Sequence, residues 1–279
     1  MKKLLTLAAV LFFVSAQAQL KIPRPSAPAT VEQTIGYTTL KISYSRPTKS
    51  GRIIFGDLVP FGEKWRTGAD KNTMITTNNN LTINGKTLPK GTYALYAEPY
   101  SERWVIYFYK NIESWGLPNK WNDADVVLKT EVKPTTNNTD TEAFTIDISP
   151  VSVDAGVIEI RWEKTSARIP FQTETIAQVT ENIAKNLTPT SSSDDYYDAA
   201  LFLLNAKKDY DKALAYINTS IEKDGEAPHY SLWLKARILN ALGKRKEAIQ
   251  NAEASLKKAQ KLGNKSYIRL NERLLQEWR

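Results

Sequence analysis

The sequence predicts a β-plus-α protein: an antiparallel β-sandwich domain followed by a short all-α domain of helical repeats. Three observations carry this. From Val31 to about Phe171 apolar residues recur with a period of two, and no long helix intervenes. After Pro170 the period becomes that of a helix. Over the last third of the chain, a pattern centred on Ala213 returns at Ala248, 35 residues later.

Leu40, Ile42 and Tyr44 alternate with Thr39, Lys41 and Ser43, so one face of that strand is buried and the other wet. Leu81-Thr82-Ile83 runs into Asn84-Gly85, a strong hairpin signal, and Lys86-Thr87-Leu88 returns. Thr92–Ala97 and Arg103–Lys110 are rich in β-formers and parted by a turn around Pro99. Trp104, Ile106 and Phe108 share a parity that points to burial, whereas Trp115, beyond the strand and followed by Gly, is expected to be exposed. Val126–Val132, Phe144–Ile148 and Val157–Trp162 come next, with Pro134–Asp140 read as a loop. Thr73–Thr77 and shorter candidates near Ile53 and Ile169 bring the total to about nine strands. Many short strands without crossover helices exclude a parallel α/β fold.

Ile176, Val179, Ile183 and Leu187 make one apolar stripe, a linking helix able to lie against the sandwich or the next helix. Thr188–Ser193 breaks it, and Ser193 or Asp194 is the expected cap of the second helix. Then Asp209–Leu214 and Gly243–Ile249 are equivalent turns. Tyr197, Leu201 and Leu204 correspond to Leu232, Ala236 and Leu239, and Ile217, Ser220 and Ile221 to Ala252, Ser255 and Leu256. Small residues at Ala213, Ala236 and Ala248 let helices cross closely. The pattern resembles the tetratricopeptide repeat, with departures at Leu201 and Gly225. Ile268, Leu270, Leu274, Leu275 and Trp278 would form a capping helix. The expected organisation is a signal peptide at 1–18, sandwich 19–174, linking helix and linker 175–193, and helical repeats 194–279.

Within the sandwich, Ser45-Arg46-Pro47, Gly51-Arg52, Ile54–Pro60, Trp65-Arg66-Thr67-Gly68-Ala69 and Leu88-Pro89-Lys90-Gly91-Thr92-Tyr93 occur in that order. Together they resemble the bacterial domain-of-unknown-function family numbered 2911, over about residues 20–172. That resemblance implies an exported protein of the Bacteroidetes type, with a signal peptide ahead and helical repeats behind. It implies no reaction.

Met1-Lys2-Lys3, the apolar run Leu4–Val14 and Ser15-Ala16-Gln17-Ala18 read as a secretion signal cleaved between Ala18 and Gln19. Eleven residues rise only about 16 Å as a helix, too short to span a membrane. No later stretch is long and apolar enough to do so, and the mature chain is expected in the periplasm or outside the cell. The chain carries 38 Lys+Arg against 30 Asp+Glu, and residues 229–279 alone hold 12 basic and 4 acidic groups. Export and the lack of clustered aromatics among these basic residues argue against nucleic acid as a partner. Zero Cys and a single His exclude disulfides, thiolate zinc, Cys nucleophiles and two-His metal sites. No cofactor or metal is expected.

Two candidate surfaces stand out. The stretch Arg46–Asn72 combines basic residues, Trp65 and several Gly and Pro, which suits a shaped loop system on the sandwich rim. Arg46, Trp65, Arg66, Asp70 and Trp115 are its candidate ligand-binding residues. They offer an aromatic platform, a planar donor and a carboxylate, suited to a sugar, a carboxylate ligand or a peptide terminus. The competing reading pairs Arg66 with Asp57 or Asp70 and uses Trp65 as a plug. The helical repeats supply the second surface: Phe202, Tyr230, Trp233, Arg237 and Asn240, with Asp195, Asp198 and Asn205, would line a groove for a protein or peptide, unless the linking helix or the sandwich covers it. Asp123/Asp125 and Glu159/Glu163 are the carboxylate pairs that a glycosidase would need, and neither sits in a recognisable catalytic motif. His229, at a helix start, suits a solvated or capping role. The leading expectation is a non-enzymatic binding or scaffolding component, with a carbohydrate-directed hydrolase or carbohydrate-binding module as alternatives.

Overall fold

The computed structural model describes residues 22–279. The predicted signal segment and its cleavage point lie outside the described residues.

Two antiparallel sheets pack face to face. One contains, in spatial order, β1 (Ala27–Ile35), β2 (Thr38–Arg46), β3 (Thr73–Thr77), β6 (Gly91–Pro99), β7 (Trp104–Tyr109) and β8 (Val126–Val132). The other contains β5 (Lys86–Leu88), β4 (Leu81–Ile83), β10 (Ala155–Thr173) and β9 (Pro134–Pro150). Their inner faces interdigitate: Leu40 and Ile42 from β2 and Ile158 and Ile160 from β10 are all buried in one core. The alternation read in β2 holds residue by residue, and Asn84 and Gly85 take the left-handed conformation that the tight β4–β5 turn demands.

Three expectations need correction. Pro134–Asp140 is not a loop but the start of β9, paired through Pro134 with Ala167 and through Thr135 with Ser166. Proline is tolerated there because it opens a strand at the end of the sheet order, where its missing N–H costs no ladder bond. The segment near Ile53 is not a strand: Val59 N–H returns to the Ile54 carbonyl at 2.8 Å and closes a tight loop, with Ile54 inside and Ile53 outside. The candidate near Ile169 is not separate, since β10 runs unbroken in sequence to Thr173.

Beyond Trp104, Ile106 and Phe108, the opposite face of β7 is also covered. Val105, Tyr107 and Tyr109 join Tyr96 in a second cluster, and the Trp121 ring seats on the three tyrosines at centroid distances of 4.5–5.5 Å. The loop carrying Trp121 therefore acts as an outer layer over the six-stranded sheet.

Six stacked helices complete the chain: α1 (Thr175–Asn186), α2 (Ser193–Asn205), α3 (Tyr210–Asp224), α4 (His229–Ala241), α5 (Arg245–Lys261) and α6 (Lys265–Trp278). Ala213, Ala236 and Ala248 are fully buried where the helices cross. The cap of α2 is Ser192, one residue before the expected position. It forms a reciprocal pair with Asp195, whose carboxylate Ser192 holds below the usual carboxyl range by hydrogen bonding. In α6, Leu275 and Trp278 are buried as the capping role requires, but Leu270 faces solvent. Asn271, rather than Leu270, shares the buried face with Leu275 and Trp278. The apolar stripe of α1 is only half-buried, and Thr175 is the one buried residue of the helix. Thr175 ties the helix to the sandwich by accepting the Tyr37 N–H at 3.3 Å. No helix among the described residues is long and apolar enough to cross a membrane.

Candidate functional site

The loop between β2 and β3 is built around Trp65. Its backbone exchanges two hydrogen bonds with Ala97 on β6, 2.7 and 2.9 Å long, which fixes the loop to the sheet. The indole stacks nearly parallel on Trp162 of β10 at 6.1 Å and meets Phe144 and Trp104 edge-on at 5.2 and 6.3 Å. Trp65 therefore does plug the end of the sandwich, yet one side of it lines a hollow of about 450 Å³.

The chain then turns through an unusual backbone. Thr67 and Asp70 have φ of 53° and 57°, and Gly68 has 144°. A fully buried β-branched residue in the left-handed region is an outlier that the surroundings must enforce. Three bonds enforce it: the Trp65 indole N–H donates to the Gly68 carbonyl, Thr73 Oγ1 to the Thr67 carbonyl, and Arg66 Nη1 to the Asp70 carbonyl at 3.1 Å. A Cβ at Gly68 would stand 3.1 Å from the Ser45 carbonyl, so only glycine lets the loop sit this close to β2.

The result is a concave site at the sandwich rim. Trp65 and Trp162 form its apolar wall with Leu58 and Val59. Arg52 and Arg66 bring positive charge, and Thr48 and Ser50 bring hydroxyls. No carboxylate lines it among the described residues. Arg52 spends two donors on the carbonyls of Lys49 and Thr48. Arg66 spends only Nη1, which leaves Nε and Nη2 without a protein acceptor among the described residues. The expected pairing of Arg66 with the carboxylate of Asp57 or Asp70 is replaced by this bond to a backbone carbonyl.

Asp70 and Trp115 flank the same loop. Arg24 lies over the exposed Trp115 ring at 5.1 Å, and its Nη1 approaches Asp70 Oδ2 at 3.9 Å. That carboxylate oxygen is buried and accepts no hydrogen bond. Trp65, Arg66, Asp70 and Trp115 are thus brought together, but Arg46 is not. Its guanidinium crosses between the sheets to the Phe144 carbonyl at 3.0 Å and Thr145 Oγ1 at 2.8 Å. Trp162 was the residue sequence reasoning missed here, because inward parity on a strand reads as core and nothing local marks the end of a sandwich.

Neither carboxylate pair survives as a unit. Asp123 and Asp125 lie in a single 3₁₀ turn, not an extended segment. Glu159 pairs with Arg161 and Arg168, while Glu163 sits at a bulge with φ of 51° and accepts the Ile54 and Phe55 N–H groups. That bulge breaks the parity that placed the two glutamates together.

In the helical region, Phe202 faces a hollow of about 350 Å³ shared with Val179 and Ile183, so α1 covers that part of the expected groove. Asn240 accepts from Arg245. Tyr230, Trp233 and Arg237 instead lie together on one side of α4. His229 is wedged between Tyr230 and Tyr267, within 3.2 Å of the Asn264 amide, and burial pushes its imidazole below the ordinary histidine range.

No curated protein and no solved structure matches the chain. Residues 26–171, just over half of the sequence, match a family described as "Protein of unknown function (DUF2911)". This span runs from the threshold of β1 to near the end of β10 and contains the rim residues from Ser26 onward, Trp65, Arg66, Asp70, Trp115 and Trp162 among them. The chain belongs to the DUF2911 family.

Proposed function

We propose that the protein is an exported, non-enzymatic binding component of the bacterial periplasm or envelope. Its ligand is a small carboxylate-bearing molecule held in the rim hollow. The observation that carries this reading is Arg66: a half-buried side chain with two donor positions free of protein acceptors among the described residues, which lines a hollow walled by Trp65 and Trp162 and lacking any lining acid. A planar fork beside an aromatic wall matches a carboxylate attached to an apolar or sugar-like body. The strained Thr67–Asp70 backbone supports it, because such strain is retained where a site needs a fixed shape. Export rests on the basic–apolar–small pattern of residues 1–18, and the helical region reads as tetratricopeptide-like repeats available to a protein or peptide partner.

A saccharide is the second reading. The exposed Trp115 ring, with the Asp70 carboxylate beside it, would suit a ligand with hydroxyls and a flat C–H face. A thermal-shift panel of galacturonate, galactose and N-acetyl amino acids separates the two. An acid present at 100 times its Kd stabilises the protein by about 2.7 kcal/mol. Arg66→Ala removes that shift while its own melting temperature stays within about 4 °C of wild type. A shift from galactose equal to that from galacturonate favours the saccharide. Hydrolysis of a glycoside that survives Arg66→Ala overturns both.

A further inference from the structure

Arg237 and Trp233, on adjacent turns of α4, make no side-chain hydrogen bond among the described residues. Arg237 lies over the Trp233 ring, its guanidinium carbon 4.5 Å from the ring centroid. The side chain is half-buried, and burial lowers its affinity for the proton. The neighbouring Tyr197 phenol acts in the opposite direction to burial. Among the described residues no hydrogen bond or ion pair joins Arg237 to a protein oxygen. The Trp233 indole Nε1 is buried and equally without a partner. Only the indole N–H is closed off without an acceptor; the Arg237 donors stay within reach of solvent and so of a ligand.

Aromatic rings from three helices frame the spot. Tyr267 of α6 meets Trp233 edge-on at 5.7 Å, and Tyr197 of α2 meets Tyr230 at 5.5 Å. Burial and the neighbouring Tyr267 raise the Tyr197 phenol to about 12, so at neutral pH it is an uncharged hydroxyl. These residues are half-exposed, and α1 covers the Phe202 end of the face instead. The segment that carries Arg237 is basic, with 12 Lys+Arg against 4 Asp+Glu over residues 229–279, while Asp194, Asp198 and Asp224 act on Tyr197 and Tyr230 from the neighbouring helices.

We infer that Arg237, Trp233, Tyr197, Tyr230 and Tyr267 form a second binding site, for a carboxylate carried next to an aromatic or large apolar group. One guanidinium balances one carboxylate in charge and matches its two oxygens in plane. A phosphate, with nearly two charges, would be under-compensated here. The rings receive the apolar neighbour. This chemistry is offered by a free aromatic acid and by the C-terminus of a chain ending in such a residue. The site is separate from the rim hollow and independent of its assignment.

Calorimetric titration of the full mature chain tests this with N-acetylphenylalanine and with the peptide Ala-Ala-Phe, each as free acid and as amide. Both acids are expected to bind if the site takes small acids, and the peptide acid alone if it takes chain ends. Either way the amides bind at least about tenfold more weakly, equivalent to about 1.4 kcal/mol. Arg237→Gln loses the same factor or more, and Arg237→Lys, which keeps the charge but not the fork, falls between. The indole N–H resonance of Trp233, assigned through Trp233→Phe, shifts on adding acid but not amide. Equal binding of acid and amide overturns the inference, as does undiminished binding by both Arg237 variants. So does the absence of any binding to the folded wild-type chain at about 10 mM of either acid.

Discussion

Two arginines of the same loop region should respond oppositely to the same substitution. Arg46 gives two charged-donor hydrogen bonds, to the Phe144 carbonyl and to Thr145 Oγ1. The Phe144 carbonyl belongs to a stretch of β9 where the ladder to β10 is interrupted opposite Glu163, so Arg46 is its replacement partner. Replacing Arg46 with Met keeps most of the packing of the stem but orphans that carbonyl. Bonds to charged groups contribute about 1.5–3 kcal/mol each when buried. Discounted for the half-exposure of this side chain, Arg46→Met should cost about 2–3 kcal/mol. At about 2–4 °C per kcal/mol for a unit of this size, the melting temperature falls by about 5–10 °C. Arg66→Met forfeits one bond to a part-buried loop carbonyl, about 1 kcal/mol. Urea denaturation followed by tryptophan fluorescence reports mainly the sandwich, which holds five of the seven tryptophans. Ligand binding should show the reverse order, lost in Arg66→Met and retained in Arg46→Met. Equal stability losses in the two variants, or an Arg46→Met protein within about 0.5 kcal/mol of wild type, would refute the division of roles.

Three further outcomes can be checked. Gly36→Ala puts a Cβ 2.1 Å from Thr175 Oγ1 at a residue with φ of +57°; it should cost at least about 1–2 kcal/mol and speed hydrogen exchange in α1 before the sandwich. The Glu98 carboxyl sits below its ordinary value of 4.5 despite an opposing push from burial, because Tyr100, Tyr107 and Lys64 hold its charged form. A depressed carboxyl stabilises the fold above 4.5 and loses that contribution as pH falls through its lower folded value, so stability measured down an acid series should drop less steeply in Glu98→Gln. Ser192→Ala removes one half of the α2 cap and should lower helical stability by about 1 kcal/mol, visible in far-ultraviolet melting.

What could be read from the chain depended on whether the cause was local. The burial of Leu40, Ile42 and Tyr44 and the turn at Asn84-Gly85 arise from parity and turn chemistry within a few residues, so they were legible. The buried alanines of the helix crossings were legible for the same reason. Pro134–Asp140 looked like a loop because proline and asparagine avoid strands, and its pairing partner lies some thirty residues away in β10. Tyr107 and Tyr109 gave no sign of burial, since the Trp121 loop that covers them is not specified by their own strand. At the rim, the density of Trp, Arg and Gly marked the right loop. It could not separate Arg46 from Arg66, whose roles differ only in which carbonyls the fold brings near them. The left-handed Thr67 left no trace at all, because its conformation is imposed by bonds from Trp65, Arg66 and Thr73.

The β4–β5 hairpin does more than reverse the chain. Asn84 Nδ2 donates to Thr130 Oγ1 and to the Glu131 carbonyl, and Lys86 Nζ donates to the Lys129 carbonyl at 3.1 Å. Both carbonyls belong to β8, the last strand of the six-stranded sheet. Acceptors that a foreign strand would use for pairing are already occupied by side chains, and β5 is only three residues long. Along this seam the tip of the hairpin acts as a guard against strand addition, and two copies of the sandwich have little to zip together there.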